Sequence, residues 1–329
     1  MQLLILGGTN FVGRHLAERA LADGHSVTLF NRGRTNPGLF EDVEEIHGDR
    51  DGGLGPLNGR TFDRVVDVSG YVPRIVRQSA EMFKEATDHY TFISSVSVYA
   101  DFTTTGIDED APVAALPDAA VEDVTRETYG PLKALCEEVV RSAFGQRCTI
   151  VRPGIVAGPF DDTDRFTYWC MRASRGDEFV APDDPSRPVQ FIDARDLAAF
   201  TLEASLNLLH GVFNATGPLR DALNWGDFLE SCVDVTGGDA RPVWVPERVL
   251  TDAEVNLGSE LPLYAPRDRP GFATVDRGRA IAAGLEFSPL ERSIEDTLGW
   301  ARHAGHDLTA GMTQGREEEI LEALRRSRL

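Results

Sequence analysis

The chain has 329 residues, 42% apolar and 26% charged, with 33 Lys plus Arg against 53 Asp plus Glu, a net charge of −20. That composition is globular, excluding a disordered or collagen-like chain, and so acidic a surface repels nucleic acid and anionic membranes. No apolar run approaches the roughly 18 residues that span a bilayer, and Cys136, Cys148, Cys170 and Cys232 have neither disulfide nor metal spacing, so a cytoplasmic protein without a metal site is expected.

The first half alternates short aliphatic or β-branched runs (2–6, 26–30, 64–68, 90–94, 149–152) with stretches of helical period. Over 13–23, Leu16, Ala17, Ala20 and Leu21 share one face, and Gly24 can end the helix. Over 129–144, Leu132, Leu135, Cys136, Val139, Val140 and Ala143 recur at steps of three and four. Strands separated by helices predict right-handed βαβ units, hence an α/β fold with a Rossmann-type doubly wound parallel sheet. Beyond Pro153 the chain is proline-rich and less regular, with strand candidates at 189–192, 212–214 and 243–245. Two parts are expected: a nucleotide-binding sheet domain over 1–160, with core strands also from about 186–215, and a smaller substrate lobe over most of 161–329. The last helix, 316–328, runs from Glu317, Glu318 and Glu319 to Arg325, Arg326 and Arg328, an order that suits the helix dipole of a surface helix.

The first strand runs into Gly7-Gly8-Thr9-Asn10-Phe11-Val12-Gly13 and then a helix. Glycine serves where the backbone turns tightly against a pyrophosphate, and the helix N-terminus then offers N–H groups to the anion. Gly7, Thr9, Asn10, Phe11, Val12 and Gly13 are therefore candidate cofactor binders. An acid ending the second strand would take the ribose 2′-OH of NAD. Asn31 stands there instead, with Arg32, Arg34 and Arg14 available to a 2′-phosphate, so NADP(H) is expected and NAD remains possible. Asp49 is placed beside the adenine, and Val68, Ser69 and Gly70 lie at the end of the next strand.

Tyr129 and Lys133 stand four residues apart, on one face of a helix. A neighbouring ammonium lowers a phenol's pKa and fits it for proton transfer near neutral pH. Only Lys84 and Lys133 occur in the whole chain, which sharpens the pairing. Upstream, a buried strand ends in Ser94, Ser95 and Ser97, any of which can bond a substrate oxygen or satisfy the turn.

These motifs together resemble the short-chain dehydrogenase/reductase superfamily, in its extended branch of NAD(P)-dependent epimerases, dehydratases and reductases. Asn10, at the middle glycine position, resembles an atypical subgroup whose members are labelled sugar dehydratase, isoflavone-reductase-like or stem-loop RNA-binding. Aligned on Val98-Tyr99, the resemblance implies Ser95 as the catalytic serine, Tyr129 as acid/base and Lys133 as its partner, which also touches the nicotinamide ribose. Pro153 lies in the stretch 152–159 that resembles the strand and loop beside the nicotinamide. Stretches 191–198, 269–271, 284–285 and 298–300 resemble second-lobe and C-terminal signatures. The implied activity is hydride transfer at a carbinol or keto carbon of a sugar-like or other small polar substrate. A reductase or dehydrogenase ranks first and a nucleotide-sugar epimerase second. Dehydration ranks last, because Val96 and Ser97 follow Ser95 where the family's dehydratases carry an Asp-Glu pair. A non-catalytic nucleotide or RNA binder on the same fold is the alternative of another class. A homodimer through the tyrosine helix and the one before it is also implied. Asp108, Glu109 and Asp110 read as a solvated loop, and His303 with His306 as a surface pair.

Overall fold

Strands β1 (Gln2–Leu6), β2 (Ser26–Asn31), β3 (Glu44–His47), β4 (Phe62–Asp67), β5 (Thr87–Ile93) and β6 (Cys148–Pro153) come from the first half of the chain. The second half adds the short β7 (Val156–Ala157), β8 (Glu178–Pro182), β9 (Pro188–Val189) and β10 (Ile192–Asp193), then β11 (Gly211–Ala215), β12 (Leu223–Asn224) and β13 (Arg241–Val245). This is a computed structural model, and it describes every residue except 119, 218–220 and 328–329. Arg328 therefore lies outside the described residues.

One parallel seven-stranded sheet, in the order β3-β2-β1-β4-β5-β6-β11, organises the molecule. Helix α1 (Phe11–Ala22) packs on one face, and α2 (Pro73–Phe83) and α3 (Tyr129–Phe144) pack on the other. Because both faces are covered, β1 is apolar from Leu3 to Leu6 rather than alternating. Leu3 and Ile5 meet Leu16, Ala17 and Ala20 of α1, while Leu4 and Leu6 join Val76, Ala80 and Phe83 of α2. Chain order reverses between β1 and β4, so a crevice opens at the carboxyl ends of these strands.

Two short helices and two longer ones complete the middle of the chain: α4 (Thr167–Ala173), α5 (Ala194–Leu206), α6 (Trp225–Thr236) and α7 (Glu247–Asp252). Then follow α8 (Gly278–Ala282), α9 (Leu290–Ala304) and α10 (Gln314–Ser327). Helix α5 returns to the sheet beside α1, and Asp193 caps it by accepting from the Arg195 N–H at 2.8 Å. The same carboxylate accepts from Ser293 Oγ at 2.6 Å, so the stretch 191–198 ties α9 to the sheet domain. The second lobe has its own aromatic core, in which Phe166, Trp169, Phe191, Trp225 and Phe228 pack together.

Several expectations shift. Strand ends move by one to three residues, α1 begins at Phe11, and β3 has no counterpart in the sequence reading. The run 189–192 divides into β9 and β10, because the buried Gln190 amide is engaged by Val275 on both its oxygen and its nitrogen. The tyrosine helix was expected to serve both core and interface. Its Leu132, Cys136, Val139, Val140 and Phe144 are buried, whereas Glu138, Arg141 and Ser142 are exposed.

Candidate active site

A cavity of about 900 Å³ covers the switch point, reaching from the end of β2 past Tyr129 to residue 165. Its floor is the glycine turn. Gly7 holds φ +118°, and a Cβ there would stand 2.5 Å from Val68 Cγ2. A Cβ on Gly13 would stand 2.7 Å from the Gly8 nitrogen, so the first turn of α1 presses directly on the loop. No side chain caps α1, which leaves its first N–H groups available to an anion. Asn10 is extended rather than left-handed, and its amide donates to Asp162 at 3.1 Å. Thr9, Phe11 and Val12 line the same wall. A cradle kept open by glycines and lined with free backbone donors fits a dinucleotide pyrophosphate.

At the end of β2 the residues do different work from that expected. Asn31 lines the cavity, but its Oδ1 accepts from the Gly33 N–H at 2.6 Å and its Nδ2 donates to Glu45 at 2.7 Å. It shapes the turn, and each of its amide atoms keeps one further hydrogen-bonding position. Arg14 is unavailable: it pairs with Glu18 at 2.7 Å, one helical turn on, and lies 3.5 Å from the centre of the Phe160 ring. Arg32 and Arg34 are exposed and line the cavity, as does Asp49, whose carboxylate accepts from the Asp51 N–H at 3.0 Å.

Arg50, missed in the sequence, underlies this end. It donates twice to the fully buried Asp67 at 2.6 Å and once to Ser69 Oγ at 3.3 Å, fixing the ends of β3 and β4. Val68 and Ser69 face the cavity. Gly70 does not line it: its Cα is pressed against Phe92, and its carbonyl accepts from Lys133 Nζ at 2.7 Å.

Ser95, Tyr129, Lys133 and Pro153 line one stretch of wall. Ser95 Oγ accepts from the Ser97 N–H at 3.1 Å and shares the cavity wall with Tyr129. Ser94 is committed elsewhere, donating to the buried Glu137 at 2.6 Å, which leaves Ser95 and Ser97 as the hydroxyls with access. Glu137 in turn pairs with buried Arg152 at 2.7 Å and so braces α3 against β6.

The relation between lysine and tyrosine departs from expectation. Lys133 is fully buried and donates to the carbonyls of Gly70 and Ile93 at 2.7 and 2.6 Å. Burial pushes its ammonium down to about 8. The Tyr129 phenol is pushed up, chiefly by burial and then by Tyr71, against the smaller pull of the Ser95 hydroxyl. The phenol is therefore held protonated rather than acidified.

A pH dependence follows. The unfolded lysine keeps its proton up to about 10.4, while the folded one releases it near 8. Between those values the unfolded chain binds more protons, so this group's contribution to stability rises with pH. Chemical denaturation from pH 7.5 to 10 should show that rise in the wild type relative to Lys133→Met, which lacks it.

Beyond Tyr129 the wall is made by Tyr71, which follows Gly70 at the end of β4, and by residues the sequence reading passed over: Asp161, Thr163, Arg165 and Phe272. The signal for three of them was their position, directly after Gly158-Pro159. Phe272 stacks on Phe102 with ring centroids 3.8 Å apart. Glu109, expected in a solvated loop, is buried and accepts from the Asn214 N–H at 2.8 Å, away from the cavity. His306 reaches Asp164 at 2.7 Å and so braces the 161–165 turn.

A two-part reading results. The parallel sheet, the switch-point crevice and the glycine turn define a Rossmann-type fold. Residues 74–215 match the model of the NAD dependent epimerase/dehydratase family. Over 318 residues it is 25% identical to the chloroplast stem-loop binding protein of 41 kDa b of Arabidopsis thaliana, covering 90% of this chain and 78% of that one. The UDP-Glc/GlcNAc 4-epimerase of Campylobacter jejuni superposes with a TM-score of 0.69 at 17% identity, covering 92% of this chain and 99% of its own. The human epimerase family protein SDR39U1, solved with NADPH, superposes with a TM-score of 0.61 at 20% identity, covering 91% and 99%. At these identities the structures establish the fold. No helix among the described residues is long and apolar enough to cross a membrane.

Proposed function

We propose that this chain is an NAD(P)-dependent oxidoreductase, with NADP(H) preferred, acting at a carbinol or keto carbon of a small polar, sugar-like substrate. What carries the reading is one continuous cavity with the glycine cradle at one end and Ser95, Tyr129 and Lys133 at the other. The bound nicotinamide supplies the hydride acceptor or donor. The backbone of residues 7–13 holds the pyrophosphate, and Lys133 lies where it can reach the nicotinamide ribose. Ser95 orients the substrate oxygen. Tyr129 exchanges the proton on that oxygen. Protonated, the phenol donates to the carbonyl oxygen during reduction, and the phenolate takes the proton back during oxidation.

The compound released from purified protein, identified by mass spectrometry, decides between chemistries. Net consumption of added NADPH marks a reductase; a stereoisomer formed with no net change in nicotinamide absorbance marks an epimerase. Failure to bind either nucleotide by calorimetry would sink the reading.

The preference for the phosphorylated cofactor rests on Arg32 and Arg34. Replacing both with alanine should weaken NADP more than NAD by about tenfold or more in calorimetry, since charged hydrogen bonds contribute about 1.5–3 kcal/mol. Asn31→Asp is the poorer test, because it sets a second carboxylate against Glu45.

A second reading, a stem-loop RNA binder, is favoured by the name of the Arabidopsis relative. The net charge of −20 opposes it. A gel shift with a stem-loop RNA at physiological salt should show no complex at micromolar protein, and a complex there would put this reading first.

A further inference from the structure

The wall beyond Tyr129 contains two charged side chains that the fold itself does not use. Asp161 is fully buried; its Oδ1 accepts from the Thr163 N–H and hydroxyl at 2.9 and 2.7 Å, while its Oδ2 has no hydrogen-bond partner. Arg165 is half-buried and donates through Nε to the same Thr163 hydroxyl at 3.0 Å. It forms no ion pair among the described residues, although other buried arginines do: Arg50 with Asp67, Arg152 with Glu137, Arg172 with Glu317. Thr163 thus bridges the two, and both line the cavity beside Tyr129.

The rest of the turn is anchored outward. Asp162 accepts from Asn10 at 3.1 Å, and buried Asp164 accepts from His306 and from the Thr309 N–H, each at 2.7 Å. Asp162 and Asp164 hold the turn, while Asp161 and Arg165 are left facing the cavity. Burying an unpaired carboxylate oxygen or guanidinium is costly, and a ligand that completes both recovers that cost.

We propose that the turn 161–165 is a substrate-recognition element: Arg165 receives a carboxylate or phosphate of the substrate, and Asp161 accepts one of its hydroxyls. The substrate class is then a hydroxylated anion. This rests on the oxidoreductase reading for calling the ligand a substrate. A guanidinium presents two parallel N–H donors to either oxyanion, and its neighbour selects for a donor hydroxyl. Burial works in the same direction: it pushes the Asp161 carboxyl up and the Arg165 guanidinium down, and an anion on Arg165 reverses the second.

The test is a side-chain ¹⁵N NMR titration of the arginines in the full chain without nucleotide, at constant ionic strength. The probes are acetate, glycolate and inorganic phosphate, and Arg165→Met assigns the resonance. A saturable shift of the Arg165 signal with acetate points to a carboxylate substrate, and with phosphate to a phosphate ester. Glycolate should bind about threefold more tightly than acetate. Asp161→Asn, which keeps the shape, should narrow that margin, and Arg165→Lys should retain part of the anion affinity. No saturable shift of Arg165 with any probe overturns the proposal. Equal binding of glycolate and acetate in the wild type overturns the role of Asp161. Because nucleotide is absent, a failure of cofactor binding would leave this result readable by itself.

Discussion

Tyr129→Phe is expected to lower turnover by about 10²–10⁴-fold while leaving nucleotide affinity within about twofold, the range for losing a positioned proton donor. The phenol heads α3 and lines the cavity together with Ser95, at the substrate end rather than the glycine cradle. Phenylalanine keeps the ring and its packing against Tyr71, 6.3 Å between centroids, so the fold is unaffected. Only the proton path is removed. The measurement is turnover of the compound released from the purified protein, with calorimetric nucleotide binding alongside. Full activity in the variant would remove Tyr129 from the chemistry. Lys133→Met should reduce both quantities, since its ammonium fastens the carbonyls of Gly70 and Ile93 and lines the cavity.

What was legible in the sequence was local and periodic. Helix α3 keeps its predicted bounds because its apolar residues recur at helical steps, and Pro131 falls within its first turn. The glycine turn was visible because an uninterrupted apolar strand leads into it. β3 was invisible for the opposite reason: Glu-Glu-Ile-His is a half-exposed edge strand with no alternation, so no pattern marks it. Missing β3 also hid Glu45, the residue that claims the Asn31 amide. Composition misled as well. In a chain this acidic a further carboxylate reads as surface, yet Glu109 and Asp161 are both buried. Their burial depends on partners far along the chain, Asn214 for one and the His306-braced turn for the other, which a sequence pattern does not reveal.

Gly13→Ala provides the sharpest test of the cofactor cradle. The new Cβ would lie 2.7 Å from the Gly8 nitrogen and 2.9 Å from its Cα, both backbone atoms that no rotamer change can move aside. Either α1 must back away from the loop or the loop must rise into the space reserved for the pyrophosphate. Overpacking of this kind costs about 1–3 kcal/mol. Applied to the conformation that binds nucleotide, that predicts about a tenfold to hundredfold loss of affinity in calorimetry. Gly24→Ala is the control. Gly24, unlike the helical Gly13, has a left-handed backbone, at φ +78°, but no atom lies within 4 Å of its virtual Cβ, and it follows α1 at the end away from the cavity. It should lower the melting temperature through backbone strain and leave nucleotide affinity unchanged. If the two variants lost affinity equally, the loss at Gly13 would report general destabilisation rather than a blocked cradle. If Gly13→Ala bound nucleotide as tightly as the wild type, the turn would have room that the packing of α1 against Gly8 denies it.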